Sequence, residues 1–385
     1  MTRGTRPGHW STRARADVYN DYYARIYQRL HRCPTCTMRL RTTTGYCSDA
    51  CAASAEDPPD AHHPQSPHPA VDPLPDTIPY AMPTAAPFNV PTPTTTPTYD
   101  GTGHGFHPSV WDAGVGERWN GFRYWMAMTP FHGGDEDLEN PCILASHDGF
   151  DWQVPPGLTN PLARRCSAPG FDYNSDTELV FLPEEGTNGT LYCFWRPANR
   201  FAAPIDEAWY YATSTDGITW SAQHRAGAWF GVEPSYASPS LVRIGDTEWR
   251  AFTNAGVLTS RHPSGPWSRL APYRNVGLAR RRWWHHDVEL VDGRFWAIIT
   301  NGSTEVWPAV SRDGVHWVHG ASMLARPPAH AWEAGGYYRP AFLPHPDGAT
   351  MNVWYSGYDL DDPALDRRIG FTQIPCREWR RLRCR

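Results

Sequence analysis

The stretch SHDGFDW at residues 146–152 recurs in the same chain as STDGITW at 214–220 and as SRDGVHW at 311–317. Two weaker copies end at Trp267, within SRHPSGPW, and at Trp379, within CREWRRL. Asp followed by Gly is typical of a tight turn, because the Asp side chain accepts backbone N–H bonds and Gly adopts positive φ. We therefore interpret the motif as a hairpin turn that marks a repeated unit, with its Trp packed between neighbouring units.

A second series of short β-type segments precedes the Trp-ended motifs. Its members are HPSV at 107, DTEL at 176, SPSL at 238, DVEL at 287 and RPAF at 339. An aromatic strand separates the two markers, as in GFRYWMAM at 121–128. Each unit therefore contains four antiparallel strands, and five units predict an all-β, five-bladed β-propeller over residues 101–385.

The first 100 residues differ from this region in composition. Residues 16–32 have apolar side chains at helical spacing and lead into four cysteines in C-x2-C and C-x3-C pairs. These four thiolates suit one tetrahedral Zn²⁺ ion, so residues 1–56 are interpreted as a helix with a structural zinc knuckle, two disulfides being the alternative. The predicted zinc ligands are Cys33, Cys36, Cys47 and Cys51. Residues 57–100 are rich in Pro and Thr and predict an extended linker.

Composition argues against two classes of partner. The formal net charge is −5, which is the wrong sign for a protein that coats nucleic acid. No apolar run approaches the 18 or so residues of a membrane span, so we expect no membrane insertion. The N-terminal residues show no apolar signal-peptide core, and we expect synthesis in the host cytoplasm without a signal peptide.

The repeat resembles that of the five-bladed glycosidases of the arabinanase/xylosidase and invertase types. Residues 107–131, 139–162 and 173–181 are also similar to the propeller of minor tail or receptor-binding proteins of actinobacterial phages and prophages. The resemblance covers about residues 101–375. It implies a virion protein that contacts a host-surface glycan, other tail proteins through its N-terminal module, and further copies of itself in an assembled particle.

The first residues of the inner strands are the candidate ligand-binding residues, because the inner strands of a propeller converge on one mouth of its funnel. They are His107, Asp176, Ser238, His286, Asp287 and Arg339. The arabinanase-type pattern implies a base Asp, a pKa-tuning Asp and an acid Glu in blades 1, 2 and 3. This sequence has His107, Asp176 and Ser238 there, with Glu233 five residues before Ser238.

We therefore expect the propeller to bind host-surface carbohydrate without cleaving it. One alternative is a glycoside hydrolase acting on cell-wall polysaccharide, with catalytic groups drawn from Asp176, Asp287, His107 and Glu233. The other alternative is a purely structural component of the virion.

Overall fold

The computed structural model describes residues 88–164, 173–198, 209–227, 238–254, 256–268, 271–276, 283–301, 305–324, 328–364 and 366–382. The predicted N-terminal helix, the four zinc-binding cysteines and most of the linker lie outside the described residues, as does Glu233. The zinc knuckle and its structural zinc therefore stay predictions.

Within the described residues, five sheets form five blades, with each strand antiparallel to the next along the chain. Blade 1 contains β1 (Gly105–Asp112), β2 (Tyr124–Pro130), β3 (Cys142–Ser146) and β4 (Trp152–Gln153). Blade 2 contains β5 (Tyr173–Leu182), β6 (Thr190–Ala198), β7 (Tyr210–Ser214) and β8 (His224–Arg225). Blade 3 contains β9 (Ser240–Gly245), β10 (Glu248–Phe252), β11 (Gly256–Ser260) and β12 (Ala271–Pro272).

Blade 4 gains an extra outer strand, β13 (Arg274–Val276), which pairs in parallel with the last strand of that blade. Its other strands are β14 (His285–Val291), β15 (Arg294–Thr300), β16 (Val306–Ser311) and β17 (His316–His319). Blade 5 contains β18 (Gly336–Pro344), β19 (Thr350–Tyr358) and β20 (Arg367–Pro375), followed by the short helix α1 (Arg377–Arg380). Three 3-10 turns complete the described elements, at His132–Gly134, Glu136–Leu138 and Ala331–Glu333. None of the described helices is long and apolar enough to cross a lipid bilayer.

Five apolar clusters hold the blades together, one at each interface between neighbouring blades. Each cluster contains or contacts the Trp that ends a repeat, and these residues are Trp152, Trp220, Trp267, Trp317 and Trp379. Removing a buried Trp side chain typically costs about 3–5 kcal/mol. The predicted five-bladed propeller is confirmed, and so is the packing of the repeated Trp between blades. The fifth Trp differs because it lies on α1 rather than on a strand.

The Asp-Gly turns have the predicted architecture. In the first turn, Oδ1 of Asp148 accepts hydrogen bonds from the backbone N–H groups of Phe150 (2.8 Å) and Asp151 (2.9 Å). Gly149 has φ of 80°, a conformation that favours glycine. The same hydrogen bonds recur at Asp216 and Asp313. The aspartate of this motif therefore has a structural role in the hairpin turn rather than a catalytic one.

Residues 88–100, which the sequence assigned to the linker, lie against the propeller. The N–H of Thr94 donates to the carbonyl of Ile369 in blade 5 (2.7 Å). The N–H of Trp152 in blade 1 donates to the carbonyl of Thr95 (3.2 Å). This segment thus joins the last blade to the first, which closes the ring of blades.

Candidate functional site

An unusual backbone conformation occurs near the start of three of the inner strands. His107, Asp176 and Ser238 have φ of 55°, 55° and 51°, in the left-handed region that non-glycine residues rarely adopt. The pairing register shifts beside His107 and Asp176, so each lies in a β-bulge. A bulge re-aims a side chain, and a residue in the left-handed region costs about 1–3 kcal/mol. The surrounding structure therefore holds these three side chains in place against their local preference.

The strained residues meet a histidine of blade 4. Oδ1 of Asp176 lies 3.1 Å from Oγ of Ser238, 3.4 Å from Nδ1 of His285 and 4.0 Å from Nε2 of His107. Oγ of Ser238 and Nδ1 of His285 are also in direct contact. Side chains from four blades can converge only near the propeller axis. These four buried residues, His107, Asp176, Ser238 and His285, are called the axial cluster below.

Arg196 fixes the orientation and the charge of Asp176. Its Nε donates to Oδ2 of Asp176 at 2.7 Å, which leaves Oδ1 facing the axial cluster. Burial alone would raise the pKa of Asp176, but the charged groups around it, of which Arg196 contributes most, together outweigh burial and hold the pKa well below its usual range. Asp176 is therefore an ionised carboxylate with one oxygen available for a ligand.

The two histidines of the axial cluster are neutral. Burial lowers the pKa of His107 to about 3 and that of His285 well below its usual value. Nδ1 of His107 contacts Oγ1 of Thr129 (2.8 Å) and Oε1 of Glu139 (3.2 Å), so its Nε2 is the nitrogen that faces Asp176. Nε2 of His285 is buried and has no hydrogen-bond partner among the described residues.

Aromatic residues border the axial cluster. The ring of Tyr338, which is partly exposed, has its centroid 4.1 Å from that of His285 and 5.3 Å from that of His107. Tyr338 stacks on Phe106 at 4.9 Å, and the indole N–H of Trp284 donates to its hydroxyl at 3.1 Å. These rings give the cluster an apolar border.

A second set of polar residues lies two positions further along the inner strands of blades 1 to 4, and Arg339 of blade 5 joins it. Oγ of Ser109 donates to Glu178 (3.0 Å), and Oγ of Ser240 donates to Asp287 (3.0 Å). Each serine also accepts from the backbone N–H that follows its acidic partner. Nη2 of Arg339 donates to Oε2 of Glu178 at 2.8 Å. Together Ser109, Glu178, Ser240, Asp287 and Arg339 form the second ring.

The structure separates the predicted site residues into groups. His107, Asp176 and Ser238 lie together in the axial cluster, whereas Asp287 and Arg339 lie in the second ring. His286 packs against Trp283, with ring centroids 5.2 Å apart. The ligand-binding role of these residues stays a prediction.

Three residues beside Asp176 and His107 were not among the predicted site residues: Glu139, Arg196 and His285. Because DVEL in blade 4 resembles DTEL in blade 2, the sequence comparison aligned Asp287 with Asp176. However, β14 pairs with β15 without a register shift, and the hydrogen bonds of Asp287 match those of Glu178. His285, two residues earlier, therefore takes the place equivalent to Asp176. The adjacent histidines before DVEL were the only sequence signal for it.

The donor set of the axial cluster suits a divalent cation. His107, Asp176 and His285 can each offer one ligand atom, and these atoms lie within 4.8 Å of one another. Two imidazoles and one carboxylate are common ligands of zinc and of other transition metals. The ionised carboxylate and the neutral rings are the protonation states that a metal requires.

Comparisons with known proteins point to enzymes that act on carbohydrate. No protein-family model matches the chain. A curated relative, the A type blood N-acetyl-α-D-galactosamine deacetylase of Flavonifractor plautii, is 24% identical over 316 residues, which cover 66% of this chain and 40% of that protein. The chain thus spans less than half of the length of this relative.

Solved structures show the same fold. An N-acetylgalactosamine deacetylase from F. plautii, in complex with blood group B trisaccharide, matches with a TM-score of 0.59 and 21% identity, over 76% of this chain and 95% of that chain. A GH43 β-xylosidase/α-arabinofuranosidase from a compost metagenome matches with a TM-score of 0.51 and 9% identity, over 74% and 94% of the two chains. At these identities the likeness establishes the propeller fold.

These findings correct the functional prediction. The similar proteins are carbohydrate-active enzymes, and none of those named here is a phage protein. The prediction of a phage tail protein that binds glycan without cleaving it is therefore wrong, and the enzyme alternative is favoured. The predicted partners and the virion location stay predictions.

Proposed function

We propose that the propeller is a metal-dependent deacetylase that hydrolyses the acetamido group of an N-acetylated hexosamine. The observation that carries the proposal is the axial cluster, in which two neutral histidines and one ionised carboxylate converge. The similarity to an N-acetylgalactosamine deacetylase supports the substrate class.

His107, Asp176 and His285 would hold the cation, with Oγ of Ser238 beside them. Nδ1 is the nitrogen of His285 that faces Oδ1 of Asp176, at 3.4 Å, so it is the atom that would bind the cation. A divalent cation in this position supplies Lewis-acid polarisation of a carbonyl oxygen and lowers the pKa of bound water.

Two neighbours would orient the ligands. Arg196 holds Oδ2 of Asp176, so that Oδ1 stays aimed at the axis. Glu139 and Thr129 hold Nδ1 of His107, which leaves Nε2 to act as a ligand. Partners of this kind fix the ring orientation of metal-binding histidines and strengthen binding. Arg196, Glu139 and Thr129 are therefore positioning residues.

The aromatic border is suited to the acetyl group. Tyr338 and Phe106 stack against each other beside both histidines of the axial cluster. An acetyl methyl group gains free energy on leaving water for such an apolar surface. In the proposed complex, the partly exposed ring of Tyr338, backed by Phe106, would contact the methyl group.

Glycoside hydrolysis is the second candidate, and one observation favours it. Burial and the charge of Asp176 raise the pKa of Glu139 to about 8, while the pKa of Asp176 itself is lowered, as in an acid and its ionised partner. However, the imidazole of His107 lies between the two carboxyl groups, with Nδ1 3.2 Å from Glu139 and Nε2 4.0 Å from Asp176. A glycosidic bond cannot occupy the same space, so deacetylation is the better supported reaction.

The test is acetate release by the purified full-length chain. Metal is removed with a chelator, and Zn²⁺, Mn²⁺, Co²⁺ or Ca²⁺ is added back singly. N-acetylgalactosaminides and N-acetylglucosaminides are then offered. We expect acetate release that requires one of these ions and that is lost in Asp176→Asn. His345→Ala is the matched control, since it removes a histidine that contacts Asp347 on the surface, far along the chain from the axial cluster.

Two results would overturn the proposal. One is release of reducing sugar from arabinan or xylan with no acetate from any N-acetylhexosaminide, which would establish the glycosidase. The other is acetate release that Asp176→Asn leaves unchanged, which would place the reaction elsewhere.

A further inference from the structure

A second group of metal-binding side chains lies where the first and last blades meet. His104 precedes β1, His132 follows β2, and Asp366 precedes β20 in blade 5. We propose that these three residues, called the closure site below, bind one divalent transition-metal ion, for which zinc is the first test, and that the ion clamps blade 1 to blade 5. This site is separate from the axial cluster and does not depend on the proposed function.

The geometry of the closure site is close to that of a zinc site. Nδ1 of His104 lies 2.7 Å from Nδ1 of His132, and Oδ2 of Asp366 lies 3.9 Å and 3.8 Å from these two nitrogens. Zinc binds nitrogen and oxygen at about 2.0–2.2 Å in a tetrahedron, which sets its ligand atoms roughly 3.4 Å apart. The three observed separations bracket this value, so small rotations of the side chains would bring all three atoms into place.

A proton shared between His104 and His132 accounts for fewer of the contacts at the closure site than a cation does. One proton between the two Nδ1 atoms would make a hydrogen bond of 2.7 Å between the rings. Asp366 would remain beyond hydrogen-bond distance of both rings, although its Oδ2 points towards them. That oxygen also accepts from the N–H of Gly133, and a carboxylate oxygen has a further lone pair for a metal. A cation engages all three side chains at once.

The closure site repeats a feature of the axial cluster. At the axis, Arg196 holds one oxygen of Asp176 and leaves the other facing two histidines. At the closure site, Arg367 holds Oδ1 of Asp366 at 2.5 Å and leaves Oδ2 facing two histidines. In both places an arginine orients a buried carboxylate.

Exposure also suits metal entry. The side chain of His132 is 39% exposed, which gives an ion a route from solvent, whereas His104 and Asp366 are buried.

The test counts zinc in the full-length chain. Protein stripped with a chelator is dialysed against Zn²⁺, and the zinc content per chain is measured by elemental analysis for wild type, His132→Ala and His345→Ala. We expect His132→Ala to hold one zinc ion fewer than wild type, and His345→Ala to match wild type. We also expect the increase in Tm caused by Zn²⁺ to shrink in His132→Ala.

If His132→Ala proves unstable, Asp366→Asn is the second variant. Its amide oxygen can still accept the hydrogen bond from the N–H of Gly133. Asp176→Asn reports separately on the axial cluster, so loss of one site can be told from loss of the other. Equal zinc content in wild type, His132→Ala and Asp366→Asn would overturn the proposal and assign the His104–His132 contact to a shared proton.

Discussion

The axial cluster and the second ring are built from the same inner strands, two residues apart, yet they use polar groups in opposite ways. In the second ring, serine and acid hydrogen bonds repeat from blades 1 and 2 to blades 3 and 4. In the axial cluster the backbone is strained, the histidines are neutral, and Nε2 of His107 and Nδ1 of His285 both face Asp176. The repeated polar residues of the second ring therefore join blades, whereas the unrepeated residues of the axial cluster keep ligand atoms available.

The substitution Asp176→Asn, in the axial cluster, has the largest expected effect. We expect kcat/KM for acetate release to fall about a thousandfold, or ~4 kcal/mol of transition-state stabilisation, because the axial carboxylate is lost. Asn can still accept from Ser238, but the buried Arg196 loses its charged partner, so we also expect the free energy of unfolding to fall by about 3 kcal/mol, and activity is compared per folded molecule. Steady-state kinetics and zinc content are the measurements. A fall of less than tenfold would contradict the assignment of Asp176 as a metal ligand.

Glu178→Gln tests the second ring in the same way. This change replaces the acid that accepts from Arg339, whose side chain is almost completely buried. Because burial raises the pKa of Glu178 to about 8, the loss is that of a buried hydrogen-bond partner, which costs about 1–3 kcal/mol. We expect the free energy of unfolding, measured by chemical denaturation, to fall by ~2 kcal/mol. The acetate release per folded molecule should stay within about threefold of wild type. Normal stability with lost activity would show that the second ring is part of the reaction site.

The sequence predicted the features of the fold that repeat from blade to blade. The Asp-Gly-Trp motif identified the blades, since the same turn and the same buried Trp are needed at several interfaces. It also placed His107, Asp176 and Ser238 at the inner strands. It could not place His285, because a β-bulge shifts the register in blades 1 and 2 but not in blade 4. Glu139 lies in a loop between β2 and β3, where no periodic pattern applies.

Glu139→Gln sharpens the difference between ligands and positioning residues. Glu139 touches Nδ1 of His107 rather than the metal-facing Nε2, so it acts through the histidine. Loss of such a partner typically weakens metal binding or activity 10- to 100-fold. We expect a weaker Zn²⁺ affinity, measured by competition with a chelator, together with a lower kcat and an unchanged KM. A rise in KM alone would instead place Glu139 against the substrate.

The smallest expected effect belongs to the outer turn at Asp313, whose side chain is 51% exposed. Burial alone would raise the pKa of Asp313, but hydrogen bonds from the N–H and the side chain of His316 outweigh burial and lower the pKa to about 2. A carboxylate with a depressed pKa stabilises the fold above its unfolded pKa, and this contribution is lost as pH falls from about 4 to about 2. Because solvent screens this exposed group, we expect Asp313→Asn to cost only ~1 kcal/mol at pH 7.

The difference in the free energy of unfolding between Asp313→Asn and wild type, measured by chemical denaturation, should vanish near pH 2, and acetate release at pH 7 should be unchanged. A pH-independent difference would assign the loss to altered turn geometry rather than to charge, whereas lost activity would mean that this aspartate serves more than architecture.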